Sequence, residues 1–160
     1  MSKQWKNWSS SVKATPQEIL FPQNENEVRE IILQAKAAGK TVRVVGAGHS
    51  FTPLIKTDSI ILSLDQLTGV ISVDKQKHQA VVWAGTRLKR LGELLHENRL
   101  AMENLGDIDV QSIAGALSTG THGCGITMGV LATQLISITL VTANGEILEL
   151  DRESTPDKFR

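Results

Sequence analysis

Two stretches of this chain carry residue types that can do chemistry. The first is Val42-Arg43-Val44-Val45-Gly46-Ala47-Gly48-His49-Ser50-Phe51. β-Branched residues at 42, 44 and 45 predict a buried strand, which runs into a turn ending in a histidine and a serine. Glycines on either side of Ala47 let the backbone approach a ligand closely and take positive φ where needed. Such a turn can aim several N–H groups at one anion; the alternative is a strand followed by a plain surface turn. The second stretch is Ser112-Ile113-Ala114-Gly115-Ala116-Leu117-Ser118-Thr119-Gly120-Thr121-His122-Gly123-Cys124-Gly125. Small residues and hydroxyls dominate it, so amides and Ser/Thr hydroxyls can line a long ligand. A tight glycine-rich crossing inside a core is the other reading. Two such loops suit an extended polyphosphate-bearing molecule lying between them, which would also give buried amide donors their partners. His122 by itself reads as a structural, hydrogen-bonding histidine, and Cys124 as a small buried residue and not a nucleophile. His49, His78, His96 and His122 have no ligand spacing, so no metal site is expected.

The glycine turn does not match the common nucleotide fingerprints. Gly46 and Gly48 satisfy the first two positions of G-x-G-x-x-G, but the third falls on Phe51. No long amphipathic helix opens there, and no acidic residue ends a following strand in the ribose-binding position. A P-loop is excluded because no Gly-Lys-Ser/Thr follows.

The elements that must position these stretches are readable in outline. Within an otherwise polar leader, Trp5 and Trp8 are expected to anchor the segment by burying aromatic surface. Ile19-Leu20-Phe21-Pro22 reads as a short strand ended by proline. Asn24 with Glu27 makes a capping-box-like helix start, Val28, Ile31, Ile32, Ala35 and Ala38 share one face, and Gly39 stops the helix. That helix and the strand at 42–45 predict a parallel β-α-β unit. A second apolar run follows at 60–64. Residues 70–74 and 79–84 read as an antiparallel hairpin. Thr86 is the expected cap of a helix with Leu88, Leu91, Leu94 and Leu95 inward, where Gly92 either weakens the helix or admits a close neighbour. Asn144-Gly145 predicts a type I′ hairpin between 135–141 and 146–150.

At 160 residues the chain suffices for one domain or two small lobes. With 41% hydrophobic and 21% charged residues it reads as globular. Lys+Arg and Asp+Glu are both 17, so no cationic footprint points to nucleic acid or anionic lipid. The single Cys124 excludes an intrachain disulfide. No signal pattern opens the chain and its apolar runs are too short to span a membrane, so a soluble, cytoplasmic protein is expected.

Taken together, Val44-Val45-Gly46-Ala47-Gly48-His49-Ser50-Phe51 and the stretch from Gly115 to Gly125 closely resemble the vanillyl-alcohol-oxidase-type flavoproteins, whose FAD-binding domain is of the PCMH type. The nearest branch is the aldonolactone oxidases (gulonolactone and arabinonolactone oxidases) and the related alditol oxidases. Supporting likenesses lie in the leader, in Phe21-Pro22 with Glu27-Val28, and in Leu62-Ser63-Leu64-Asp65 with Leu67. The resemblance implies a mixed α/β (α+β) fold of two lobes: a leader over 1–14, a small β-α-β lobe over 15–66, and a mostly antiparallel lobe with helices over 67–160. FAD would lie between the lobes. The resemblance places its pyrophosphate on the turn of Gly46, Ala47, Gly48, His49 and Ser50, with Ser118, Thr119, Gly120, Thr121, His122 and Gly123 along the diphosphate and ribityl chain and Val45 and Gly115 also binding the cofactor. Ser112, by the same analogy, would face the flavin ring and the substrate hydroxyl as the candidate catalytic residue. His49 matches the histidine that many members bond to the flavin 8α-methyl carbon, and a neutral imidazole nitrogen is a competent nucleophile for that.

Family members are much longer, so the resemblance also implies an N-terminal fragment whose second lobe is incomplete and whose substrate domain is absent, with apolar strand edges exposed and association of chains possible. The implied activity of the full-length parent is oxidation of a CH–OH group of a sugar lactone or polyol, with hydride passing to flavin N5 and electrons then to O₂ or another acceptor. A stand-alone FAD-binding module without turnover, or a cell-wall-type flavin reductase on the same fold, are the alternatives. The histidine in the turn favours the oxidase branch over the reductase.

Overall fold

The computed structural model describes residues 4–159, so the first three residues of the expected leader, and Arg160, lie outside it. β1 (Trp5–Lys6) pairs antiparallel with β2 (Lys13–Ala14), making the leader a small hairpin. β3 (Glu18–Leu20) leads into α1 (Glu25–Ala37), then β4 (Val42–Val45), a single 3-10 turn at Pro53–Ile55, and β5 (Ile60–Ser63). Asn24 caps α1, its Oδ1 accepting from the Glu27 amide at 2.9 Å. The Glu27 carboxylate returns to the Gln23 amide (2.8 Å) and the Asn24 side chain, one position earlier than a reciprocal capping box requires. Gly39, at φ +63°, ends the helix as expected.

β3, β4 and β5 form a parallel sheet in the order β3-β5-β4. The two strands flanking α1 are therefore parallel, as the β-α-β reading expects, with β5 lying between them. β5 inserts between them because it is apolar nearly throughout and buried at all four positions, the pattern of a central parallel strand. β4 is left at the edge. Only Val45 in it is buried and Val44 is 50% exposed, which corrects the expectation of a buried strand.

Beyond residue 67 the pairing turns antiparallel. β6 (Val70–Asp74) and β7 (Gln79–Val82) make the expected hairpin, with a register shift between Val70 and Ser72. Asp74 Oδ1 closes its turn by accepting from the amides of Gln76 and Lys77. α2 (Leu88–Glu97) buries Leu88, Leu91 and Leu95, with Leu94 half-buried. Thr86 does not cap it. Arg87 stands at the cap, and the buried Thr86 hydroxyl instead donates to the Trp83 carbonyl (2.7 Å) and accepts from the Gly69 amide (2.9 Å). Part of the second glycine-rich stretch is a six-residue helix, α3 (Ile113–Ser118), where an open loop was expected. Its small residues let Ile113 and Ala116 pack with Leu88, Leu91, Leu95 and Leu131 in the main core. A smaller core joins Ala14, Val45 and Ile61, with Trp5 packed against it.

β8 (Ser137–Val141) and β9 (Ile147–Asp151) form an antiparallel hairpin, followed by a 3-10 turn at Pro156–Lys158. Its turn is not type I′, since Gly145 has φ +75° but Asn144 has no positive φ. The Gly145 amide donates to Thr142 O and the Thr142 amide to Glu146 O, both at 2.9 Å, which is a type I turn followed by a left-handed bulge residue. That tip docks on α1, where Arg29 Nε donates to Gly145 O (2.9 Å) and Lys36 Nζ to Asn144 Oδ1 (2.7 Å). No described helix is long and apolar enough to cross a membrane.

Gly92 faces solvent, and a Cβ built on it meets nothing within 4 Å, which rules out the close-neighbour explanation. Gly92→Ala should therefore stabilise the chain by up to about 1 kcal/mol in urea denaturation, whereas Asn24→Ala should cost about 1 kcal/mol.

Candidate functional site

The turn 46–50 leaves the carboxyl end of β4, and Asp65 lies just past that of β5. Ligands of open α/β sheets bind in this region. The two glycines of the turn are required for different reasons. Gly48 has φ +64°, a conformation that side chains rarely adopt. Gly46 has an ordinary φ, but a Cβ there would run into the Ser112 hydroxyl and come within 3.0 Å of Ser112 Cβ. A Cβ on Gly115 would lie 3.1 Å from the same oxygen. Ser112 is thus where the two sequence stretches meet.

Ser112 forms an isolated antiparallel bridge with Arg87 and is 1% exposed. Its Oγ caps no amide of α3 and has no hydrogen-bond partner among the described residues. A buried hydroxyl left unpaired costs about 1–3 kcal/mol. Among the described residues the other buried side-chain polar atom without a partner is Arg87 Nη1, on the residue paired with Ser112 in that bridge. Arg87 Nη2 holds Asp65 Oδ1 at 2.7 Å, and Asp65 Oδ2 accepts from Ser63 Oγ at 2.9 Å. This ion pair is half-exposed and contributes at most about 1 kcal/mol, so its effect is chiefly to orient the guanidinium.

The leader covers the carbonyl side of the turn. Trp8 N donates to Gly48 O (3.1 Å), Trp8 Nε1 to His49 O (3.2 Å) and Asn7 Nδ2 to Ser50 O (3.1 Å). The amides of Ala47, Gly48, His49 and Ser50 donate to no acceptor among the described residues. The turn therefore has the carbonyls of 48, 49 and 50 engaged and the amides of 47 to 50 free, the polarity an anion requires. Trp5 is the anchor that the sequence suggested, whereas Trp8 is 56% exposed and stacks on the His49 ring instead of burying itself.

The second stretch divides into three parts. Ser118 and Thr119 hydroxyls donate back to the carbonyls of Ala114 (2.8 Å) and Gly115 (2.9 Å), so they turn lone pairs and not protons outward. Gly120, at φ +64°, reverses the chain, and Thr121 is fixed through its side chain to Gln111 and through its carbonyl to the Leu131 amide. His122 Nδ1 lies 2.9 Å from Gly123 O, the structural hydrogen bond expected of it. Gly123 is a tight crossing, because a Cβ there would strike Asn104 Oδ1 and Leu105 O. Cys124 is exposed, contrary to the expectation of a buried thiol, since the chain beyond Gly123 runs over the surface. No hydrogen bond joins 46–50 to 118–123 among the described residues; the link is Ser112. Nor do three or more His, Cys, Asp or Glu of the described residues gather as a metal site would need.

Asn7, Trp8, Asp65 and Arg87 were not read from the sequence as site residues. The one signal for the first two was a pair of tryptophans in a polar leader. For Arg87 nothing in the local pattern marked it among the helix-face charges.

A family model described as an FAD binding domain matches residues 16–151, and the chain belongs to that family. It is 41% identical over 150 residues to L-gulono-1,4-lactone dehydrogenase of Mycobacterium tuberculosis, covering 94% of this chain and 35% of that protein. To D-arabinono-1,4-lactone oxidase of Kluyveromyces lactis it is 38% identical over 160 residues, covering 98% of this chain and 30% of the other. A solved structure of xylooligosaccharide oxidase from Myceliophthora thermophila C1 superposes with a TM-score of 0.84 over 96% of this chain and 33% of that one; at 22% identity it shows the shared fold. The chain spans about a third of the length of the curated relatives it matches. FAD is the cofactor, and the unpaired Ser112 hydroxyl, the Cβ-free approach at Gly46 and the donor-rich turn fit its diphosphate and ring.

Ser112→Ala should leave the flavin-free chain as stable as before or more stable by about 1 kcal/mol, because it removes an unpaired buried group, while weakening FAD binding in a fluorescence titration. Gly46→Ala should destabilise by about 1–3 kcal/mol through overpacking, and adding Ser112→Gly should recover most of that loss in the same denaturation experiment.

Proposed function

We propose that this chain is the FAD-holding part of an oxidoreductase acting on a CH–OH group of a sugar lactone or polyol. The observation that carries the reading is the buried, unpartnered Ser112 Oγ pressed against Gly46 at the carboxyl end of the parallel sheet. A serine hydroxyl offers one donor and two acceptor positions, so it can bind the flavin edge and orient a substrate hydroxyl together. When bound, the flavin takes hydride at N5 and passes electrons to O₂ or another acceptor. Residues 15–66 and 67–160 act as the two lobes that enclose it. Gly46, Ala47, Gly48, His49 and Ser50 hold the diphosphate on the turn, chiefly by the amides of 47 to 50, and Val45 meets the cofactor from the end of β4. Gly115, Ser118, Thr119, Gly120, Thr121, His122 and Gly123 line the remainder, chiefly through backbone. His49 is the covalent attachment point. The relatives named as acting on gulono- and arabinono-lactones support the substrate class. An exposed, unpaired Cys124 suits a reducing, cytoplasmic setting.

The isolated chain supplies one substrate-facing hydroxyl, so it should bind FAD but oxidise aldonolactones and polyols little or not at all. Acid precipitation after incubation with FAD tests the tether. Wild type should give a yellow, fluorescent pellet and His49→Ala a colourless one. Flavin released wholly into the supernatant from wild type would refute covalent attachment. Robust lactone turnover by the isolated chain would show that this stretch carries the substrate machinery as well.

A further inference from the structure

We infer that Trp8 is a positioning residue for His49, holding the imidazole in one orientation before any flavin is bound; its link to flavin attachment rests on the reading of His49 given above. The indole and imidazole rings are 4.9 Å apart at their centroids and their planes are 5° from parallel, an offset stack. The same tryptophan is bonded to the backbone on both sides of the histidine's Cα, through Trp8 N to Gly48 O and Trp8 Nε1 to His49 O. Ring and main chain of His49 are therefore held by one residue. Trp8 is held in turn, since Phe51 meets it edge-on at 5.7 Å and 70°. Its neighbour Asn7, 2% exposed, ties Ser50 O to the leader.

Anchoring of the leader does not explain this arrangement. Trp5 already packs on the core, and Trp8 is 56% exposed, so it spends its covered face on a histidine and not on the interior. An imidazole in such a stack has part of one face covered and its side-chain torsions restricted. A nucleophile gains rate from such restriction, because the orientational entropy is lost before the reaction. In attachment the imidazole gives up its N–H proton and the flavin 8α-methyl group one C–H proton, a nitrogen–carbon bond forms, and the two electrons released pass through the flavin to dioxygen, which leaves as hydrogen peroxide.

The test has two arms. In the flavin-free chain, diethyl pyrocarbonate labelling followed by peptide mass mapping reads the accessibility of each histidine. His49 should react several-fold faster in Trp8→Ala than in wild type, while His78 and His96, exposed on other elements, keep their rates and report any general unfolding. Trp8→Phe, which keeps a ring but loses the N–H, should stay near wild type. If Trp8→Ala does not fold, the proton spectrum of wild type decides. His49 ring protons should be shifted upfield by the indole ring current, and this shift should vanish at low denaturant concentrations only together with the fold. Equal labelling of His49 in wild type and folded Trp8→Ala, or ring protons at random-coil positions, overturns the inference. In the second arm FAD is added and acid-stable flavin is followed in time, with attachment expected about tenfold slower in Trp8→Ala and near wild type in Trp8→Phe. A wild type that forms no acid-stable flavin while His49 is still shielded by Trp8 refutes the attachment reading alone. Attachment at equal rates in wild type and folded Trp8→Ala refutes the positioning role alone.

Discussion

Gly46 has no Cβ because Ser112 leaves no room for one, and around that close approach the site is built. It brings the end of β4 against the bridge between Arg87 and Ser112, which opens α3 and, on its other side, α2. A larger residue at 46 would push apart two segments that are 66 positions apart in the chain. The same closeness buries the Ser112 hydroxyl and leaves it without a hydrogen-bond partner among the described residues. A well-packed core would not keep such a group for its own sake. Its presence is the clearest mark that the surroundings are completed by something other than this chain.

Around that contact the tasks are divided by chemistry. The two hydrophobic clusters supply rigidity: α2 and α3 pack with Leu131, and Val45 packs on Ile61 and Ala14. The leader then takes up the carbonyls of 48, 49 and 50. A turn otherwise exposes donors and acceptors together, and capping one set gives it a sign. The result is a row of free amide donors at the turn, with the Arg87 guanidinium beside Ser112 as the neighbouring cation.

Much of this was legible in the sequence because it is local. The helix from Asn24 to Gly39, the hairpin at 70–82 and the two glycine-rich stretches each announce themselves within a dozen residues. The errors were all matters of what lies alongside. Nothing in Ile60-Ile61-Leu62-Ser63 states that it will slide between the two strands flanking α1, although its unbroken apolarity is the trace of a central position. Thr86 looks like a helix cap until its hydroxyl is taken by Trp83 and Gly69. Asn144-Gly145 favours one turn type until docking on α1 selects another. Cys124 reads as buried by composition and is exposed because the close crossing occurs one residue earlier, at Gly123. The site itself was readable as two motifs but not as a pair of touching backbones. Trp8 was assigned the commonest role for an aromatic residue, and only the fold shows it against a histidine.

The strand order β3-β5-β4 has a consequence in time as well as in space. The central strand is the last of the three to be synthesised, so β3 and β4 have no partner until residues 60–63 have emerged. Until then Val42 to Val45 cannot be a strand, and the turn that follows them has no fixed direction. The contact at Ser112 comes later still and closes a long loop, an entropic cost met only after the second hydrophobic cluster has condensed. The glycine turn lies early in the chain but is among the last features to acquire its shape, so its row of free amides cannot be presented by a half-made protein.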